Sequence, residues 1–368
     1  MSFLKKAAAL VLCLALCGSM FGCESMELYE RLLIHGIGID VSGDCYIVTV
    51  RSSVSAQDEG EEYFKSEGKS VLEALNNLSL STGREPFYSH NYLVVFGREC
   101  AELGLDRCMD FFVRYYNTRP AVKMFLAEDT AEEILSAQKE EKFLKMSEIQ
   151  QLAESNRYNG KSMDVDILTF VNGVKREGSS PCLPVLRATD SGVEVSATAI
   201  FEDYRLKDSL TLDQTRGLLA MTERIEKGEA VVKGTEFGEA TLSISTRSGQ
   251  VDVSLDEAGT PVFHIKIEAK GDISAISGGR NRMQDEYYPA IEEALSRELQ
   301  KQVQSALKQG IQEAQCDVFG FGNLLYRTYP EYWRTVADDW QDNMLDCRFE
   351  IEVASKVLRL EEEDEPLM

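Results

Sequence analysis

Six aliphatic residues at a strict four-residue spacing constrain this chain more than any other feature: Ile291, Leu295, Leu299, Val303, Leu307 and Ile311. The spacing predicts one helix from about Pro289 to Gln315, with the proline tolerated in the first turn. Roughly 27 residues rising about 1.5 Å each reach about 40 Å, the breadth of a whole domain. A stripe of that length has to be covered. Three alternating segments stand just upstream, at 240–246, 251–255 and 262–269. In Val262-Phe263-His264-Ile265-Lys266-Ile267-Glu268 the polar side chains fall at 264, 266 and 268, as in an antiparallel sheet with one wet face. We therefore expect the helix at about 289–315 to pack on a C-terminal antiparallel sheet.

Upstream, strands and helices alternate. Leu33–Asp40 and Cys45–Ser52 read as strands joined by turn-forming Ser42-Gly43-Asp44, and Gln57–Gly68 reads as an exposed acidic loop. Ser70 can cap a helix over Val71–Leu80. Asn91–Phe96, NYLVVF, is a continuous apolar run suited to a strand covered on both faces; a helix at about 100–115 and a strand at 122–127 follow. Thr130 with Glu133, and Thr211 with Gln214, have capping-box spacing and open helices to about Lys139 and Ile225. Val193–Glu202 is strand-like. Near the end, Trp333, Ala337, Trp340 and Met344 mark an amphipathic helix before a last strand at Arg348–Leu358. The fold class is α+β (mixed α/β), multi-domain, with sheets backed by helices. The expected division is 1–22, 23–188, 189–360 and an acidic tail at 361–368.

The beginning of the chain is of another kind. Lys5 and Lys6 precede an uncharged run from Ala7 to Cys17, too short to span a bilayer but of the length of a signal-peptide core. Gly18 and Ser19 break the run, and Met20-Phe21-Gly22-Cys23 follows. This tetrad resembles the lipobox of bacterial lipoproteins, with Gly22 fitting well and Phe21 standing where a small residue is usual. The resemblance implies cleavage before Cys23 and a diacylglyceryl group on its sulfur. Two acyl chains give a lasting anchor where one binds only marginally. The body after Cys23 is then expected on the outer face of a membrane.

Charge limits the partners. The 368 residues hold 39 basic and 62 acidic side chains, and loss of residues 1–22 removes only Lys5 and Lys6, leaving a net charge of −25. Such a body is repelled by nucleic acid and by anionic headgroups and favours basic partner surfaces. Of the cysteines beyond Cys23, Cys45, Cys100, Cys108, Cys182, Cys316 and Cys347 form no CxxC pair and read mostly as buried thiols. His35, His90 and His264 have no partner at metal-ligand spacing, and GxSxG, HExxH and GxxxxGK[ST] are absent. No catalytic residue, cofactor or metal site is expected.

Several phrases in order carry a family resemblance. They are Gly36-Ile37-Gly38-Ile39-Asp40; Ser89-His90-Asn91-Tyr92 running into Leu93-Val94-Val95-Phe96-Gly97; Pro181-Cys182-Leu183-Pro184; and Thr198-Ala199-Ile200-Phe201 followed by Glu202-Asp203-Tyr204-Arg205-Leu206. The most specific is Asp317-Val318-Phe319-Gly320-Phe321-Gly322 with Tyr326-Arg327, Pro330, Trp333 and Trp340. Together with the exported Cys23, this set resembles the Ger(x)C spore germination lipoproteins from about residue 27 to 357. The resemblance implies a lipid-anchored, non-catalytic subunit of a nutrient germinant receptor in the inner membrane of an endospore. Its partners would be the membrane-embedded A- and B-type subunits. The alternative within this location is a lipoprotein that binds the nutrient itself.

Overall fold

The computed structural model describes residues 31–53, 61–114, 121–222, 225–247, 249–277 and 287–358. The leader, Cys23 and the tail 361–368 lie outside the described residues.

A nine-stranded sheet organises the first part of the chain. Its strands are β1 (Arg31–Ser42), β2 (Cys45–Ser53), β3 (Glu61–Gly68), β4 (Glu85–Phe87), β5 (Leu93–Phe96) and β6 (Lys123–Ala127). After the small separate hairpin of β7 (Gln138–Lys139) and β8 (Lys142–Phe143) come β9 (Cys182–Thr189), β10 (Gly192–Glu202) and β11 (Arg205–Leu210). The order is β11-β10-β9-β6-β5-β1-β2-β3, with β4 also on β1. The middle strands β1, β5, β6 and β9 run parallel, and antiparallel hairpins flank them on both sides. Parallel strands of this kind are covered on both faces, and all four residues of β5 are buried.

The covers are short helices. On one face, α1 (Val71–Thr82), α2 (Arg98–Leu103), α3 (Asp106–Arg114) and α7 (Ile167–Lys175) share a core with Val94 and Phe96. On the other, α4 (Ala131–Ser136) and α5 (Met146–Ala153) pack on Leu93 and Val95, with the single turn α6 (Asn156–Asn159) beyond them. The caps form as the spacing predicts. The Ser70 and Thr130 hydroxyls accept from the Glu73 and Glu133 N–H groups at 3.2 and 3.3 Å.

Three expectations change in this part. The acidic loop is β3 from Glu61 onward, paired with β2 along its whole length; its Glu61 meets a buried arginine, so the charge belongs to the interior. The helix expected at 100–115 is broken into α2 and α3 at Gly104, whose φ of +116° no helix accommodates. The helix from Thr130 stops at Ser136, because Gln138 and Lys139 pair with Phe143 and Lys142. The division expected at 188/189 falls inside the β9–β10 hairpin, where Gly192 pairs with Thr189. The sheet continues to Leu210.

The second part follows α8 (Leu212–Thr222), opened by a reciprocal capping box in which Thr211 N–H donates to Gln214 Oε1 (2.8 Å) and Gln214 N–H to Thr211 Oγ1 (3.3 Å). Its sheet holds β12 (Gly228–Gly234), β13 (Gly238–Thr246), β14 (Gln250–Leu255), β15 (Pro261–Ser277) and β16 (Arg348–Leu358). The antiparallel partners β13 and β14 lie end to end along one side of the 17-residue β15. Strand β16 takes the other side and runs parallel to β15. The long helix α9 (Tyr288–Leu307) runs across this sheet and continues in π-helical geometry to Glu313. Ile291, Leu295 and Leu299 pack on Leu242, Ile244 and Ile273, while Val303, Leu307 and Ile311 join Phe263, Ile265 and Ile267. The stripe faces the sheet. After α10 (Phe321–Thr328), the single helix expected through Trp333 and Met344 is split into α11 (Pro330–Val336) and α12 (Trp340–Asn343), each followed by a 3-10 turn. Among the described residues, no helix is long and apolar enough to cross a membrane.

Candidate functional site

The glycines and the aspartate of Gly36-Ile37-Gly38-Ile39-Asp40 meet the start of α4 and α5. A Cβ on Gly36 would lie 2.5 Å from Met146 Sδ, and one on Gly38 would lie 3.0 Å from the Ala131 Cβ. That closeness lets Asp40 accept from the Ala131 N–H (2.8 Å) and Glu132 N–H (3.0 Å), the unpaired donors of the helix start. Gly97, from the second phrase, leaves room for Asp40, since a Cβ there would overlap its Oδ1. Burial pushes the Asp40 carboxyl above its ordinary value, and the two N–H donors oppose that shift. The two phrases thus build one junction between strand and helix.

Beside it, the fully buried Arg51 donates from Nη1 to the Leu135 carbonyl at 2.7 Å and stands 4.2 Å from the Phe143 ring centre. Its Nη2 lies 3.1 Å from Glu61 Oε2, a charge contact rather than an aligned hydrogen bond. Glu61 Oε1 lies 3.3 Å from His35 Nδ1. Burial lowers the arginine's pKa and Glu61 opposes the change. His35 is therefore a neighbour of a buried ion pair.

The Asp317 phrase is a second junction. Its Oδ1 accepts from the N–H groups of Phe319 (3.2 Å), Gly320 (2.8 Å) and Phe321 (3.0 Å), and its Oδ2 from Gly322 N–H (2.7 Å) and Trp340 Nε1–H (3.1 Å). One buried carboxylate thus starts α10 and holds the indole of α12. Burial raises its pKa while the donors of Gly322, Phe321, Trp340 and Gly320 pull it down. The Asp317 carbonyl accepts from Ser180 N–H at 2.8 Å, and Gly178 packs directly on Gly322 and Trp333. The segment 173–181, a polar break in the sequence, is the strap that ties the two parts of the molecule. Trp333, Trp340 and Met344 are core residues beneath it.

Two further places show polar chemistry. On the wet face of the second sheet, Ser254 Oγ is 2.9 Å from His264 Nε2, and His264 Nδ1 is 2.9 Å from Glu350 Oε2. Sequence reasoning missed this line because its members come from three strands. It has the order of a nucleophile, base and orienting acid, but acyl transfer also needs N–H donors converging on the oxyanion. Here the backbone of β15 is paired on both sides, by β14 and β16. The three side chains link β14, β15 and β16 across the sheet. The other place is a cleft of about 710 Å³ between the β1–β2 turn and α2–α3, with Lys69, Arg107 and Arg205 facing Asp44 and Asp106. Among the described residues, no group of three or more His, Cys, Asp or Glu side chains is placed to hold a metal.

The site residue expected from the sequence, Cys23, lies outside the described residues. The quoted phrases are brought together, but as junctions in the interior.

Comparison with known proteins gives the family. The family model described as the spore germination protein N-terminal domain matches residues 24–188, and the one described as spore germination B3/GerAC like, C-terminal, matches 196–361. The chain is 24% identical to spore germination protein KC of Bacillus subtilis (strain 168), over 88% of each chain. It is 22% identical to spore germination protein B3 of the same organism, over 94% of each. The crystal structure of the GerBC protein shares its fold, with a TM-score of 0.55 at 17% identity, covering 88% of this chain and 97% of that one. Matched in both parts and folded as GerBC is, the chain belongs to the Ger(x)C family of spore germination proteins.

Proposed function

We propose that this protein is a lipid-anchored, non-catalytic subunit of a nutrient germinant receptor. In this reading the acyl chains on Cys23 hold it at the outer face of the spore inner membrane, where it assembles with the membrane-embedded A- and B-type subunits. The observation that carries the reading is the family match across residues 24–188 and 196–361. Asp40 and Asp317, from the phrases that carry the resemblance, are taken up as internal caps. Anchoring raises the local concentration near membrane partners, so that weak contacts suffice. We read 23–188 and 189–360 as its two family units, joined through the shared first sheet.

The test is chemical crosslinking in spore membranes followed by isolation of the chain. Recovery with two multi-span subunits of one receptor is expected; recovery alone, with the receptor intact elsewhere, would contradict the reading. The cleft beside Lys69, Arg107 and Arg205 favours a second reading, direct binding of a small acidic nutrient. A rise in the melting temperature of the purified body with such a nutrient would support it.

A further inference from the structure

Cys100 and Cys108 do not behave like the other cysteines. They stand on α2 and α3, either side of the Gly104 bend, with 1% and 0% of their surface exposed. Their Sγ atoms are 3.0 Å apart, closer than the contact distance of two unbonded sulfurs. Cys182 and Cys316 are buried in a separate cluster, and Cys347 Sγ faces the Asn343 carbonyl. Cys45 is half-buried on the β1–β2 turn.

We propose that Cys100 and Cys108 close a disulfide in the exported protein, fixing the α2–α3 bend that walls the 710 Å³ cleft. The inference rests on the outer-face location proposed above, since such bonds persist in oxidising compartments. Closing the bond brings the sulfurs from 3.0 Å to about 2.05 Å, within reach of a rotamer adjustment. The Gly104 bend already brings the two sulfurs into contact.

The bond forms by exchange with a disulfide-bearing oxidant, an exported oxidoreductase or a small disulfide R–S–S–R. The thiolate of one cysteine attacks R–S–S–R, forming a mixed disulfide and releasing R–S⁻. The second thiolate displaces the other R–S⁻ and makes the Cys100–Cys108 bond. The two cysteine protons end on the two released thiols, and the oxidant takes both electrons. The contact with Cys108, and then burial, raise the pKa of Cys100 and disfavour its thiolate in the folded body. Exchange therefore belongs to the folding chain, before α2 and α3 dock.

Trypsin gives a direct readout, because Arg107 separates the two cysteines into peptides 99–107 and 108–114. The full chain is isolated from membranes without reductant, unfolded with excess alkylating agent and digested. In parallel, reduced chain is refolded in a glutathione redox buffer and treated alike. Both preparations should give the two peptides as one linked species that reductant separates, with Cys45, Cys182, Cys316 and Cys347 alkylated. Free, alkylated Cys100 and Cys108 after refolding, or linkage of either to Cys45, overturns the pairing. Linkage after refolding but free thiols in the membrane-derived chain overturns the bond as a feature of the exported protein, and leaves the receptor-subunit reading to its own crosslinking test. Reduction should lower the melting temperature of the linked protein by about 5 °C, and should leave a Cys100→Ala/Cys108→Ala variant unchanged.

Discussion

At the scale of single residues, two carboxylates decide the local architecture. Asp317→Ala leaves five donors without their acceptor, three of them buried, and each buried group so orphaned costs about 1–3 kcal/mol. The variant is expected to lose more than about 3 kcal/mol in a urea titration, and a loss below about 1 kcal/mol would show that the phrase does not brace the body. Glu132 behaves differently. It accepts from Tyr63 Oη and Lys65 Nζ at the surface, and Lys65 first and Tyr63 second hold its pKa below the ordinary value of 4.5. Because the folded pKa is depressed, its stabilisation is present above about pH 4.5 and is lost as pH falls through the folded value. The difference in melting temperature between wild type and Glu132→Gln should therefore be small at pH 7 and vanish in acid. A difference that grows on acidification would contradict the assignment. The phrases containing Asp40 and Asp317 were legible in the sequence as marks of a family. Their roles were not, because Asp40 meets Ala131 and Gly178 meets Gly322, contacts that no local pattern encodes.

At the scale of elements, periodicity and capping were the dependable signals. The four-residue stripe and the boxes at Thr130 and Thr211 predicted α9, α4 and α8, since a helix start and a buried face are both local properties. Strand β3 was hidden because its acidic composition resembles a loop, whereas Glu61 answers the buried charge of Arg51. The parallel pairing of β16 was equally hidden: the alternation of Arg348–Leu358 gives a strand but not its direction. Leu299, 1% exposed, sits at the centre of the α9 stripe. Leu299→Ala should cost about 2–5 kcal/mol in equilibrium unfolding. Helices α8 and α9 approach closely at Gly217, where a Cβ would lie 2.3 Å from the Gln302 carbonyl oxygen. Gly217→Ala should push the helices apart and destabilise by about 1–3 kcal/mol, an overpacking cost; an unchanged unfolding midpoint would contradict that crossing.

At the scale of the whole molecule, a sheet of mixed direction is strapped through 173–181 to a second sheet roofed by one long helix. Under the proposed function, an acidic body on a lipid tether would meet its partners with charge as the long-range term, and docking of that kind weakens as salt rises. Substitution of Cys23, the proposed lipid acceptor, addresses the proposal most directly. Spores carrying Cys23→Ala should hold the protein in the soluble fraction and fail to lose optical density when nutrient is added, while wild-type spores retain it in the membrane and respond. Soluble protein in spores that germinate at the wild-type rate would contradict a receptor subunit that works through its anchor.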